Sequence, residues 1–226
     1  MRLPYVRSFG TEDQRGEGAV KRALIAGIGN VLLGDDGVGP YAVRVFEAQY
    51  SFESNVEIAD LGTPALDLTH RIVGLHSLIL IDSVAADEDP GTIILYRKED
   101  ILRHTPPQRL DPHSPALSEC LMAADMLGAS PEHVLLVGIV GENYAPGSEL
   151  SASVRRALPH ALQAVLQELA DLRFSFEKRM TPASPDIWWC EATLSAARRP
   201  GCVHLEMPQR LKRLPSPSSS TATPRN

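Results

Sequence analysis

The stretch HSLILIDSV, residues 76–84, carries four consecutive apolar residues, Leu78 to Ile81, and then meets Asp82. A short unbroken apolar run of this kind suits a strand buried on both faces, as in a parallel sheet covered by helices. RALIAGIG (22–29) and EHVLLVGIVG (132–141) have the same character, and NVEIADLG (55–62) is a further strand candidate. The segments between them have helical spacing. Val43, Phe46 and Tyr50 share one face over 36–50, where Pro40 is tolerated in the first turn. Ala65, Leu68 and Ile72 mark a helix in 63–74, and Leu117, Leu121 and Ala124 mark one in 112–128, closed by Gly128. The last helix, 149–172, carries Leu162, Val165, Leu166 and Leu169, and Pro159 should kink or divide it. Strands alternating with helices predict a three-layer α/β/α sandwich. TIILYR (92–97) follows its predecessor after a turn too short for a helical crossover. That strand is expected to be antiparallel, making a mostly parallel, five-stranded mixed sheet.

The helix-and-strand pattern occupies about 22–173. Residues 1–21 are polar and charged and read as a disordered extension. Residues 174–226 turn proline- and serine-rich and read as a flexible tail, within which DIWWCEA (186–192) is suited to docking on the domain. The chain of 226 residues has a net charge of −6, which argues against a broad nucleic-acid-binding face. No run reaches the ~20 apolar residues needed to cross a bilayer, and no signal-peptide core opens the chain. Cys120, Cys190 and Cys202 form no CxxC pair. Free thiols fit a reducing compartment, so a cytoplasmic protein is expected.

Chemistry is sought at the carboxyl ends of the strands, where open α/β sheets hold their ligands. The first strand opens into GIGNVLLGDDGVGP (27–40), which carries Asp35 and Asp36, and the third ends at Asp82. The glycines suggest a phosphate loop. Yet the dinucleotide fingerprint needs glycine where Leu32 stands, and the P-loop needs Gly-Lys-Ser/Thr where GDDG stands. Carboxylates repel a pyrophosphate and suit a cation. Asp36, Asp82 and His113 of DPHSPAL would together make an O,O,N site for a borderline divalent metal, with zinc, nickel and manganese the candidates. Each residue also has a plainer reading. Asp35 or Asp36 alone suits a helix N-cap, Asp82 a bond to loop backbone, and His113 a cap or surface position. His70, His76, His104, His133 and His160 have no placement argument and read as surface or core residues. Cys120 sits mid-helix near an apolar face, as a buried inert thiol would, and no HExxH motif occurs.

GIGNVLLGDDGVGP, LILIDSV followed by DPGTIILYR, DPHSPAL and HVLLVGIVGE resemble, in that order, the motifs of the hydrogenase maturation proteases. The resemblance covers about 22–173. It implies one α/β/α domain on a twisted five-stranded sheet. It also implies an endopeptidase that removes a C-terminal peptide from the large-subunit precursor of a nickel–iron hydrogenase once nickel is inserted. Three metal-contacting side chains carry over onto Asp36, Asp82 and His113, with Asp36 and Asp82 also candidates for the catalytic step. The nickel would come with the precursor, and no organic cofactor is implied. A monomer whose partner is the precursor, without nucleic acid or membrane, is the expectation. A nickel-checking chaperone without peptidase activity and a nucleotide-binding module are the alternatives.

Overall fold

The computed structural model describes residues 20–64, 67–103 and 117–189. Strand β1 (Ala23–Ile28) leads through a 3-10 turn at Gly34–Gly37 into helix α1 (Val38–Gln49), followed by β2 (Tyr50–Phe52) and β3 (Val56–Gly62). Helix α2 (Asp67–Ile72) and strand β4 (Ser77–Val84) come next, then β5 (Ile93–Arg97) and α3 (Lys98–Arg103). The chain continues with α4 (Leu117–Met126), β6 (His133–Val140), α5 (Ala152–Asp171) and β7 (Phe176–Lys178).

The main sheet has five strands in the order β3-β1-β4-β6-β5. All neighbours are parallel except β5, which runs antiparallel to β6 as expected from its short connection. Every residue of β1 and β4 is buried, which is why both read as unbroken apolar runs. Alternate side chains serve opposite faces. Ile25, Ile79, Ile81 and Val137 pack with Phe46 of α1 and with Leu158, Leu162 and Val165 of α5. Leu24, Leu78, Leu80 and Leu136 pack on the other face with Ile72 of α2, Ile101 of α3 and Leu121 of α4. Each such side chain, taken from water, contributes roughly 1.5–3 kcal/mol. The sandwich is thus held from both sides.

Three local details differ from expectation. Helix α5 runs unbroken from Ala152 to Asp171 and is not divided at Pro159. Proline removes one backbone bond, but Val154, Leu158, Ala161, Leu162, Val165 and Leu169 all stay buried along the helix, and that packing outweighs the loss. Helix α1 begins at Val38, with Asp36 in the preceding turn, and Tyr50 belongs to β2. Lastly, packed structure continues past residue 173: Phe174 is buried, β7 pairs with β2, and Ile187 and Trp189 of the DIWWCEA stretch lie on the α1/α5 side core. Among the described residues no helix is long and apolar enough to cross a membrane.

Candidate metal-recognition site

Strands β1 and β4 lie side by side at the point where the chain order reverses: β1 connects outward to β3, while β4 leads toward β6 and β5. A crevice opens above such a switch point. The start of α1 is wedged into it. A side chain on Gly39 would collide with the carbonyl oxygens of both Ile28, the last residue of β1, and Ile81, in the carboxyl half of β4. Gly29, at φ +129°, would collide with the carbonyl of Asp36. These glycines therefore serve close backbone packing. They bring the GDDG turn down onto the strand ends.

The two adjacent acids of that turn go to different places. Asp35 is fully buried. Its Oδ2 accepts the N–H groups of Glu142 and Asn143, each at 2.9 Å, and its Oδ1 accepts the N–H of Ser151 at 2.6 Å. Ser151 is itself the N-cap of α5, its hydroxyl accepting the N–H of Val154. Asp35 thus ties the α1 entry to the β6–α5 loop. Neither acid caps α1, whose N-cap is Gly37 with no side-chain bond.

Asp36 is half-buried and turns toward β4. Its Oδ2 accepts the N–H of Asn30 at 2.9 Å, and its Oδ1 accepts the hydroxyl of Ser83 at 3.3 Å. The backbone N–H of the same Ser83 donates to Oδ1 of Asp82 at 2.8 Å. Ser83 therefore stands between the two carboxylates. Asp82 is only 3% exposed. Burial first, and the Asp36 charge second, push its carboxyl well above the ordinary carboxylate range, while the Ser83 N–H pulls the other way. Among the described residues, no lysine or arginine forms an ion pair with either acid. A buried carboxylate beside a second carboxylate, without a cation, is an unfavourable arrangement unless it holds a proton or receives a metal.

The structure brings Asp36 and Asp82 together at one rim of the sheet. His113, the third expected ligand, lies outside the described residues. Asn30 and Ser83, which orient Asp36, carry no sequence signal of that role. Ser83 neighbours Asp82, but its bond to Asp36 spans 47 positions and has no local signature. Cys120 is a buried free thiol.

A family model described as hydrogenase maturation protease matches residues 40–168. The hydrogenase expression/formation protein HupD of Bradyrhizobium diazoefficiens is 32% identical over 71% of this chain and 84% of its own length. The hydrogenase 2 maturation protease of Escherichia coli is 30% identical over 66% of this chain and 92% of its own. The structure of the hydrogenase maturating endopeptidase HybD from E. coli superposes with a TM-score of 0.65, at 30% identity, covering 70% of this chain and 98% of that one.

Proposed function

Starting from its membership of the hydrogenase maturation protease family, to which this chain belongs, we propose that the protein is the peptidase that trims the C-terminus of a nickel–iron hydrogenase large-subunit precursor, and that Asp36, Asp82 and His113 contact the nickel already carried by that substrate. The observation that carries the reading is the pair of carboxylates, Asp36 and Asp82, meeting at the switch point with no lysine or arginine among the described residues paired to either. A nickel ion arriving with the precursor supplies the balancing charge. A precursor without nickel lacks it and docks poorly, so the metal acts as a specificity filter.

Support for including His113 is one of reach. Helix α4 feeds the start of β6, so its own start at Leu117 lies toward the opposite, carboxyl edge of the sheet, where the two aspartates are. Three residues separate His113 from Leu117, and an extended chain covers ~3.3–3.6 Å per residue. At the scissile bond, the nickel of the substrate can polarise the carbonyl or acidify a water. An aspartate freed to accept a proton can act as general base instead. The reaction is proposed for the cytoplasm, with the enzyme as a monomer and the precursor as its partner.

The test is to incubate the protein with nickel-loaded and nickel-free precursor and to measure intact masses. A C-terminal peptide lost only from the loaded precursor is the expected result. Individual Asp36→Ala, Asp82→Ala and His113→Ala variants should abolish it. Processing that survives all three removes the site. Metal-dependent precursor binding with unchanged mass would leave the checking role and remove the peptidase role.

A further inference from the structure

At the other end of the sheet, strands β4 and β6 begin side by side, and the backbone N–H of His133 donates to the carbonyl of His76 at 3.1 Å. That link sets the two imidazoles together, with ring centroids 4.9 Å apart. Glu132 closes the group. One of its oxygens lies 3.4 Å from Nδ1 of His76, and the other lies 3.7 Å from Nε2 of His133. Both separations exceed an ordinary N–H···O bond of ~2.7–3.2 Å. They approach the edge of a tetrahedron of ligands about 2.0–2.1 Å from a cation. One ligand atom from each of the three residues can be chosen so that all lie within 4.8 Å of one another. Nε2 of His76 is buried and has no hydrogen-bond partner among the described residues, so only its Nδ1 side has a polar neighbour, Glu132.

We propose that His76, Glu132 and His133 form a cation site of their own, which takes a borderline divalent ion of the zinc and nickel class. Two imidazoles and one carboxylate are the ligand set such ions prefer over calcium or magnesium. The site is separate from the aspartate pair. His76 stands six positions before Asp82 along β4, about 20 Å away at ~3.3 Å per residue. Its function is independent of the precursor: the ion would clamp the starts of β4 and β6, two central strands of the sheet. Glu132 is 70% exposed and His133 38% exposed, so both can move to close on the ion. Burial first and the Lys21 charge second hold the His76 imidazole below its ordinary range, while Glu132 pulls the other way.

The full chain, stripped with chelator, is titrated with Zn²⁺ by calorimetry and with Co²⁺ by visible absorption. At least one equivalent, the one retained when the two aspartates are replaced, should bind with a d–d spectrum of nitrogen and oxygen ligation and a rise in Tm. Glu132→Gln, a mostly exposed change that leaves the fold intact, should weaken binding at least about tenfold. His76→Gln with His133→Gln should abolish it, whereas Asp36→Asn with Asp82→Asn should keep it. The proposal fails if the full chain binds no equivalent. It fails equally if binding is unchanged in Glu132→Gln and in the histidine pair, or is lost only with the aspartates.

Discussion

Replacing Asp35 by alanine separates the two neighbouring acids of the GDDG turn. Asp35 accepts three backbone N–H groups, from Glu142, Asn143 and Ser151, at 2.6–2.9 Å. A hydrogen bond to a charged acceptor contributes roughly 1.5–3 kcal/mol. Glu142 is exposed and Ser151 half-buried, so water can replace part of what alanine removes. The lower end of the range is then appropriate, about 3–5 kcal/mol for the three together. That is a large share of the 5–15 kcal/mol by which folded domains are usually stable. For a chain of this size each kcal/mol moves Tm by about 2–4 °C, so Asp35→Ala should melt roughly 6–20 °C below the parent. Asp36→Ala, which gives up one N–H from Asn30 and one long bond from Ser83, should shift Tm by no more than about 2–4 °C. Thermal melts followed by circular dichroism measure both, and precursor cleavage is assayed well below the lower Tm. Under those conditions Asp35→Ala should retain cleavage and Asp36→Ala should lose it. Equal melting temperatures for Asp35→Ala and the parent would refute the assignment of Asp35 as the tie between α1 and α5.

Asp82→Asn should raise stability at neutral pH while abolishing cleavage. The folded carboxyl titrates above its ordinary value, so the parent loses stability as pH rises from the unfolded pKa of about 3.9 through the folded one. Asparagine escapes that loss, keeping the bond from the Ser83 N–H. The gain should appear in melts near neutral pH and shrink as the pH is lowered. A gain that grows toward acid pH would reverse the sign of the argument. Ser83→Ala, which frees Oδ1 of Asp36 from its hydroxyl, should lower cleavage of nickel-loaded precursor several-fold with little change in Tm, because the backbone bond to Asp82 remains. Unchanged turnover in Ser83→Ala would mean that the hydroxyl does not orient Asp36.

What could be read from the chain and what could not divide along one physical line, the sequence distance over which a residue finds its partners. The apolar runs at 22–29, 76–84 and 132–141 are buried on both faces, so composition alone marks them as central strands. β2 and β7 are three residues each and pair across 126 positions, leaving no local pattern to see. Helix α3 is six residues long and follows β5 directly, too short for a period to declare itself. The acids show the same division within a single dipeptide. Asp35 and Asp36 have nearly identical local surroundings, and either suited a cap or a ligand. Only the β6–α5 loop, more than 100 positions on, claims Asp35 for structure, and only Ser83 at the end of β4 turns Asp36 to the rim. The glycines of GIGNVLLGDDGVG are ambiguous in an informative way, since a glycine needed for a helix start to touch two strands looks identical to one needed for a phosphate. The sign of the neighbouring charges is the feature that argues between those uses, because a turn that sets Asp36 beside buried Asp82 suits a cation better than a phosphate.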